Sequence, residues 1–386
     1  MTHKIDVSKG TMVGTVSAQW ASRPDDQKFT SLSSLREQVA TWADESAAVH
    51  VLPADIKCVY EAEDASALRL DIADTLVEPT HWAFDTICRA AGAPAQYMRS
   101  LPAPLAAVNL NYGLQTADPK EVSAYVRRNG KTTLRGITST RYGRIYDRDV
   151  VDAVMQVAGN GTGDTRWKVP GCINWTSQFG VTYNPNVDIT KQNTTLYASD
   201  RDVFLFLVDD RNPIEVGKLD DGSPDLMFRG FYVWNSEVGH RSFGFASMYL
   251  RGVCQNRNLW GVEGFNELTF AHTASAPDRF ISQAIPALQV FSEGATGKLI
   301  AGVKAAKATI VAKNDEDRLE FLGRYGFSER QAKRVIDTAE IEEGHLPTSV
   351  WDFAQGITAR AREEDLQEAR LALEQIAGKM LDKVAA

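Results

Sequence analysis

The stretch that decides the fold is Leu226-Met-Phe-Arg-Gly-Phe-Tyr-Val-Trp234, then Asn235-Ser-Glu-Val-Gly-His240, then Arg241-Ser-Phe-Gly-Phe-Ala-Ser-Met-Tyr-Leu-Arg-Gly-Val253. The outer pieces are rich in aromatic and β-branched residues, and a polar, glycine-containing segment separates them, so they read as two strands joined by a turn. Along 241–253, Arg241, Phe243, Phe245, Ser247, Tyr249, Arg251 and Val253 fall on one face. Ser242, Gly244, Ala246, Met248 and Leu250 fall on the other, because successive strand residues point to opposite sides.

Further strands are expected at Lys131 to Ile137 and Val203 to Val208, so the span from about 122 to 275 reads mainly as β. A helix from about Arg148 to Val157 interrupts it. Toward the N-terminus, Ile56 to Tyr60 and Ala67 to Ile72 are short strand-like runs. Ser34-Leu-Arg-Glu37 fits a capping box ahead of Leu35, Val39 and Trp42 at helical spacing. A helix opens at Pro79-Thr-His-Trp and stops at Gly92 and Pro94. Another runs from Pro104 to Tyr112, with Leu105, Val108 and Tyr112 expected inward. From about 278 the chain turns helical, and Leu366, Leu373, Ile376, Met380, Leu381 and Val384 form the clearest stripe. The expectation is an α+β fold: an N-terminal arm at 1–28, an α+β core at 29–275 whose β-rich centre is mixed or antiparallel with flanking helices, and a helical region at 276–386.

The chain has 386 residues, 44% hydrophobic and 24% charged, which excludes a disordered or collagen-like protein. Cys58, Cys88, Cys172 and Cys254 form no ligand-like pair and suit a reducing cytoplasm. The N-terminus has no apolar leader, and no run is long enough to cross a membrane. Glu293-Gly-Ala-Thr-Gly-Lys-Leu299 mimics a phosphate loop, but Ser292 and Leu299 stand where it needs glycine and a hydroxyl. None of the six histidines has a partner at metal-ligand spacing. Asp200, Asp202, Asp209 and Asp210 read as loop ends rather than Mg²⁺ ligands. No cofactor and no metal are expected.

The net charge of −8 is unevenly spread. Residues 41–90 carry ten acids and three bases, whereas 127–148 carry seven bases and one acid. Arg127, Arg128, Lys131, Arg135, Arg141 and Arg144 are therefore candidate phosphate contacts. On the strand after the turn, Phe243, Phe245 and Tyr249 would stack bases while Arg241, Arg251 and Arg257 clamp the backbone. The competing reading makes the three rings core, with the end arginines reaching out to solvent. A second candidate site is a polar pocket of Asn235, Ser236, His240, Cys254, Asn256 and His272, in which His240 or His272 carries a proton near neutral pH.

Asn235-Ser-Glu-Val-Gly-His-Arg-Ser242 and Leu250-Arg-Gly-Val-Cys-Gln-Asn256 resemble the phage/plasmid-like protein family, a family of unknown function from phages, plasmids and integrated elements. Three other stretches are similar to it: Trp82 to Leu114, Leu134-Arg-Gly-Ile-Thr-Ser-Thr-Arg-Tyr142 and Phe270-Ala-His-Thr273. Arg257, where the family has Thr, and Glu237-Val238 in the turn depart from the pattern. The resemblance spans about 80 to 385 and implies a mobile-element origin, with no catalytic residue to carry over. The combined expectation is a cytoplasmic DNA-metabolism accessory protein of an element-carrying bacterial cell. It would bind nucleic acid, preferentially single-stranded DNA, and could self-associate. The alternatives are an enzyme of nucleotide or nucleic-acid chemistry, and a non-catalytic protein that binds a host defence or replication factor.

Overall fold

The computed structural model describes residues 23–385 except 62–63, 164, 170–172, 175–181, 184–187, 193, 210, 220–221, 223, 252–256, 259–266, 294–296 and 365–366. The architecture is α+β. Seventeen strands are present among the described residues: β1 Lys28–Phe29, β2 Ser46–Val51, β3 Lys57–Glu61, β4 Asp64–Ile72, β5 Thr75–Pro79, β6 Val122–Asn129, β7 Lys131–Ser139, β8 Trp167–Lys168, β9 Ile173–Asn174, β10 Thr182–Tyr183, β11 Leu196–Ala198, β12 Val203–Asp209, β13 Ile214–Lys218, β14 Pro224–Asn235, β15 Phe243–Arg251, β16 Arg257–Asn258 and β17 Glu267–Phe270. The helices are α1 Leu32–Asp44, α2 His81–Ala90, α3 Ala95–Ser100, α4 Ala103–Gln115, α5 Asp147–Ala158, α6 Ala276–Arg279, α7 Ile285–Glu293, α8 Gly297–Ala308, α9 Asp315–Gly323, α10 Glu329–Glu343, α11 Val350–Arg362 and α12 Gln367–Ala385.

Strands β14 and β15 are the spine of the larger sheet, which runs β1-β11-β12-β14-β15-β16, with β8, β13 and β17 pairing from the side. β14 and β15 pair antiparallel from Met227↔Arg251 to Trp234↔Gly244. The turn between them needs Gly239, whose φ of 77° lies in the left-handed region. Gly244 lets the strands close up, since a Cβ there would sit 2.0 Å from the Trp234 ring. The smaller sheet has the order β2-β6-β7-β5-β4-β3, antiparallel except for β5 beside β7.

Helices α2 and α4 cover one face of the smaller sheet, over Leu70, Ala124, Leu134 and Ile137. One face of the larger sheet packs Phe231, Phe243 and Phe245 against α1, α5 and α7. Its other face buries Phe204, Tyr232, Trp234 and Met248, and Tyr232 donates to Glu374 of α12 at 2.7 Å. The C-terminal helices share a core with β13, β14 and β15 through Ile214, Met227 and Tyr249, so residues after 276 complete the sheet's packing.

Three expectations change. Helix α1 begins one turn earlier than its capping box suggested: Ser31 is the N-cap and accepts from Ser34 N, so Ser34 lies inside the helix. The boundary at 28 falls within β1, and Arg23 is already buried against Asp202. Helix α4 is rotated, burying Ala103, Ala106, Ala107, Leu110 and Leu114 while Leu105, Val108 and Tyr112 face out. Its alanines fit the close approach to β3 and β4 that bulkier residues would prevent. Leu366 lies outside the described residues, but Met380 and Leu381 of the terminal stripe are core as expected.

Candidate functional site

Strand alternation on β6 and β7 sends Ala124, Val126 and Leu134 to the helices and turns Tyr125, Arg127 and Arg135 toward the larger sheet. The turn 235–240 meets them there. Arg135 is fully buried; it pairs with Glu237 and donates through Nε and Nη2 to the Asp200 carbonyl at 3.1 and 3.0 Å. The other Glu237 oxygen accepts from Asp147 N at 2.9 Å, capping the first turn of α5. Asn235 Nδ2 donates to the Asp147 carboxylate and to the Ile145 carbonyl, each at 2.8 Å. Ser236 Oγ donates to Arg201 O at 2.6 Å and accepts from His240 N at 3.0 Å. Trp82 Nε1 donates to Val238 O, and Tyr142 Oη donates to Ser236 O. The turn is a polar rivet between the sheets: its Asn235 Nδ2, Ser236 and Glu237 groups are hydrogen-bonded, while Asn235 Oδ1 and His240 Nδ1 are buried without a hydrogen-bond partner.

The electrostatics of this seam follow from burial. Burial works against the charge on Arg135, but Glu237, Tyr125 and Asp147 together outweigh it and raise the guanidinium above its ordinary value. Burial, reinforced by the Glu237 carboxylate, pushes the Asp147 carboxyl well above its ordinary value despite Arg135. Burial would also raise Asp202, yet Arg23 and Arg201 together hold it far below the usual carboxylate range. Burial lowers His240 to about 4 even though Asp202 lies 3.7 Å from its Nδ1. Burial likewise lowers His272 to about 4, opposed by its hydrogen bond with Gly143 O. Both rings are therefore neutral at pH 7, and His272 stacks on Tyr142 at 4.8 Å. Neither is tuned to carry a proton near neutrality. Of the polar-pocket candidates, Asn235, Ser236, His240 and His272 come together, but as packing; Cys254 and Asn256 lie outside the described residues.

The stacking strand is corrected. Phe243, Phe245 and Tyr249 are each 1% exposed, so no base can reach them. Both faces of β15 are covered, which makes its aromatic side core. Arg251 is buried and forked onto Asp225 at 2.9 and 3.0 Å, with Glu343 as a further partner. Arg241 is half-buried near Asp202, and the Arg257 side chain lies outside the described residues.

The basic cluster is divided. Arg135 and Arg144 are seam residues; Arg144 donates to Glu237 O and lies 3.9 Å from the Tyr125 ring centroid. Arg127 pairs with Asp200. Arg128 and Lys131 flank the exposed β6–β7 turn, whereas exposed Arg141 follows the far end of β7, roughly 30 Å along the strand at ~3.3 Å per residue.

A cavity of about 340 Å³ opens at the seam beside that turn. Its walls include Trp42, Glu78, Arg127, Asn129, Lys131 and Asp200. The Arg127 guanidinium lies over the Trp42 ring, 4.8 Å from its centroid, and burial lowers its pKa to about 10, assisted by Arg135. Lys131 is 3.6 Å from Glu78. Sequence reasoning missed Trp42, Glu78 and Asp200 as a group: they are far apart in the chain, and Trp42 sits on the apolar stripe of α1, where it reads as core. A second cavity, about 650 Å³, lies between Arg251, Lys307, Glu343 and Trp351. Neither cavity is lined by the polar-pocket residues. Among the described residues, no group of three or more His, Cys, Asp or Glu is placed to hold a metal, and no helix is long and apolar enough to cross a membrane.

Compared with known proteins, the chain matches no family model, no curated protein and no solved structure.

Proposed function

We propose that this chain is a nucleic-acid-binding accessory protein that holds one nucleotide unit of a single strand in the seam cavity. The observation that carries the reading is the Trp42–Arg127 plate on the wall of a 340 Å³ cavity, whose lining also includes the exposed cation Lys131. The volume is near the lower end of the ~300–1,000 Å³ range of small-ligand sites, enough for one nucleotide and too small for a duplex. Aromatic and guanidinium planes supply sequence-tolerant stacking. Glu78 and Asp200 add acceptors suited to a base's exocyclic amino group, such as cytosine N4. The mobile-element setting and the preference for DNA rest on the resemblance to the phage/plasmid-like family. In this reading the two buried histidines serve the scaffold and the seam cavity does the binding.

Fluorescence anisotropy with labelled oligonucleotides over a salt series tests this. One phosphate contact, from Lys131, gives a slope of log affinity against log salt of roughly −0.7. Cytosine-rich strands bind more tightly than thymine-rich ones, and Trp42→Ala weakens binding by about tenfold or more. Absence of binding, or binding indifferent to Trp42→Ala, overturns the reading.

A further inference from the structure

The chain holds two Asn-Gly pairs, Asn129-Gly130 and Asn160-Gly161. Asparagine is among the thermally labile residues, and most so before glycine, where no side chain obstructs the following backbone nitrogen. That nitrogen attacks the asparagine Cγ; a C–N bond forms and ammonia leaves, giving a five-membered succinimide. Water then opens the ring at either carbonyl to yield aspartate or isoaspartate. The fold treats the two pairs differently. Asn160 is half-buried, and its Oδ1 accepts from Ser33 N at 2.9 Å and Ser33 Oγ at 2.7 Å in the first turn of α1. Gly161 is buried, its carbonyl accepts from Val169 N at 2.9 Å, and a Cβ there would touch Leu207 and Leu32. Swinging the Asn160 carboxamide onto Gly161 N would strip α1 of that acceptor. Asn129 and Gly130 are both exposed, at the tight β6–β7 turn. Gly130 has a φ of 64° and open space where a Cβ would stand. Among the described residues, one hydrogen bond holds the Asn129 carboxamide, from Nδ2 to Glu45 Oε2 at 3.2 Å.

We propose that Asn129 is a self-modification site, converted by water to aspartate and isoaspartate in the folded chain while Asn160 is preserved. The product acts on the seam cavity, whose wall includes both Asn129 and Lys131. Aspartate replaces the donor to Glu45 with a second carboxylate facing it, and sets negative charge on the wall that Arg127 and Lys131 share. Isoaspartate adds a methylene to the main chain between the paired Asn129 and Lys131, shifting the lysine that faces the cavity. Either product weakens a site for a polyanion, since like charges at a binding surface oppose association. That consequence rests on the nucleic-acid reading; the modification itself does not.

Incubating the full chain in mildly alkaline buffer, with peptide mass spectrometry at intervals, tests the assignment. Cleavage at aromatic residues places the two pairs in separate peptides. Asn129 should convert about tenfold or more faster than Asn160, because the hydrogen bonds at Asn160 must open before its side chain can turn. In urea the two should convert at like rates. Equal rates in the folded chain overturn the assignment, as does an Asn129 that survives for the time in which both convert in urea. Fluorescence anisotropy with labelled oligonucleotides on Asn129→Asp reads the consequence: binding severalfold weaker than wild type, with the wild-type circular dichroism spectrum. Undiminished binding by Asn129→Asp overturns the effect on the cavity. A wild-type chain that binds no oligonucleotide overturns the seam reading and this effect with it, while the mass measurement still decides the modification.

Discussion

Replacing Arg135 by Met should cost this protein about 3–5 kcal/mol of stability. Arg135 is fully buried, and its guanidinium ties three segments together: β7, the Asp200 carbonyl and the Glu237 carboxylate in the turn between β14 and β15. Met has a comparable reach and fits the volume, so little of the penalty comes from a cavity. The cost comes from Glu237, 2% exposed, which keeps its contact with Asp147 N but loses its cation. Breaking one side of a buried ion pair is worth about 3–5 kcal/mol, a large share of the ~5–15 kcal/mol available to a folded chain. Adding Glu237→Gln removes the stranded charge and still offers an oxygen to Asp147 N. The double variant should recover about 2 kcal/mol relative to the sum of the single changes. Urea unfolding followed by tryptophan fluorescence reads this directly, because Trp82 donates to Val238 O within the same turn. A Met variant within 1 kcal/mol of wild type, or a deficit untouched by Glu237→Gln, would refute the claim that this pair holds the sheets together.

Acid should destabilise the fold through His240 and His272. Both titrate near 4 when folded against about 6.5 unfolded, so their contribution is complete above pH 6.5 and lost as pH falls toward 4, up to ~3 kcal/mol each. Asp147, raised in the folded state, offsets part of this by favouring the folded form as it protonates; a His272→Gln variant should show a shallower stability–pH curve over that window. Gly244→Ala should lose roughly 1–3 kcal/mol or more in urea titrations, because its Cβ would lie 2.0 Å from the Trp234 ring. Ala73 and Asp74 form the two-residue β4–β5 turn with φ of 49° and 59°, so replacing them with Asn-Gly should raise the urea midpoint, equivalent to about 1 kcal/mol.

The strands of the larger sheet were legible because β-branched and aromatic runs bounded by a glycine turn have few other uses, and β12, β14 and β15 fall where those runs lie. Helices α2 and α5 were legible from their caps and stops. Helix α4 was not: its sequence is apolar on every side, so periodicity could not tell the buried alanine face from the Leu105–Val108–Tyr112 face. The candidate site was legible only as a set of unusual residues. Asn235, Ser236 and Glu237 stood out as polar groups between two apolar strands, and they became the seam. The use of Arg135 was hidden because the chain gives no sign that a carboxylate 102 residues away will neutralise it.

By itself, then, the sequence determined the α+β class, the order of its strand-rich and helical regions, and the concentration of positive charge within an acidic chain. Those properties are local: propensity, spacing and composition act over a few residues. Tertiary structure alone decided what the charge and the rings are for. Covering both faces of β15 turned Phe243, Phe245 and Tyr249 into core. Docking the turn 235–240 onto the smaller sheet spent Arg135 and Arg144 on cohesion and left Arg128, Lys131 and Arg141 exposed. Whether an arginine meets solvent or a buried carboxylate depends on segments distant in the chain, and only the packed sheets bring those together.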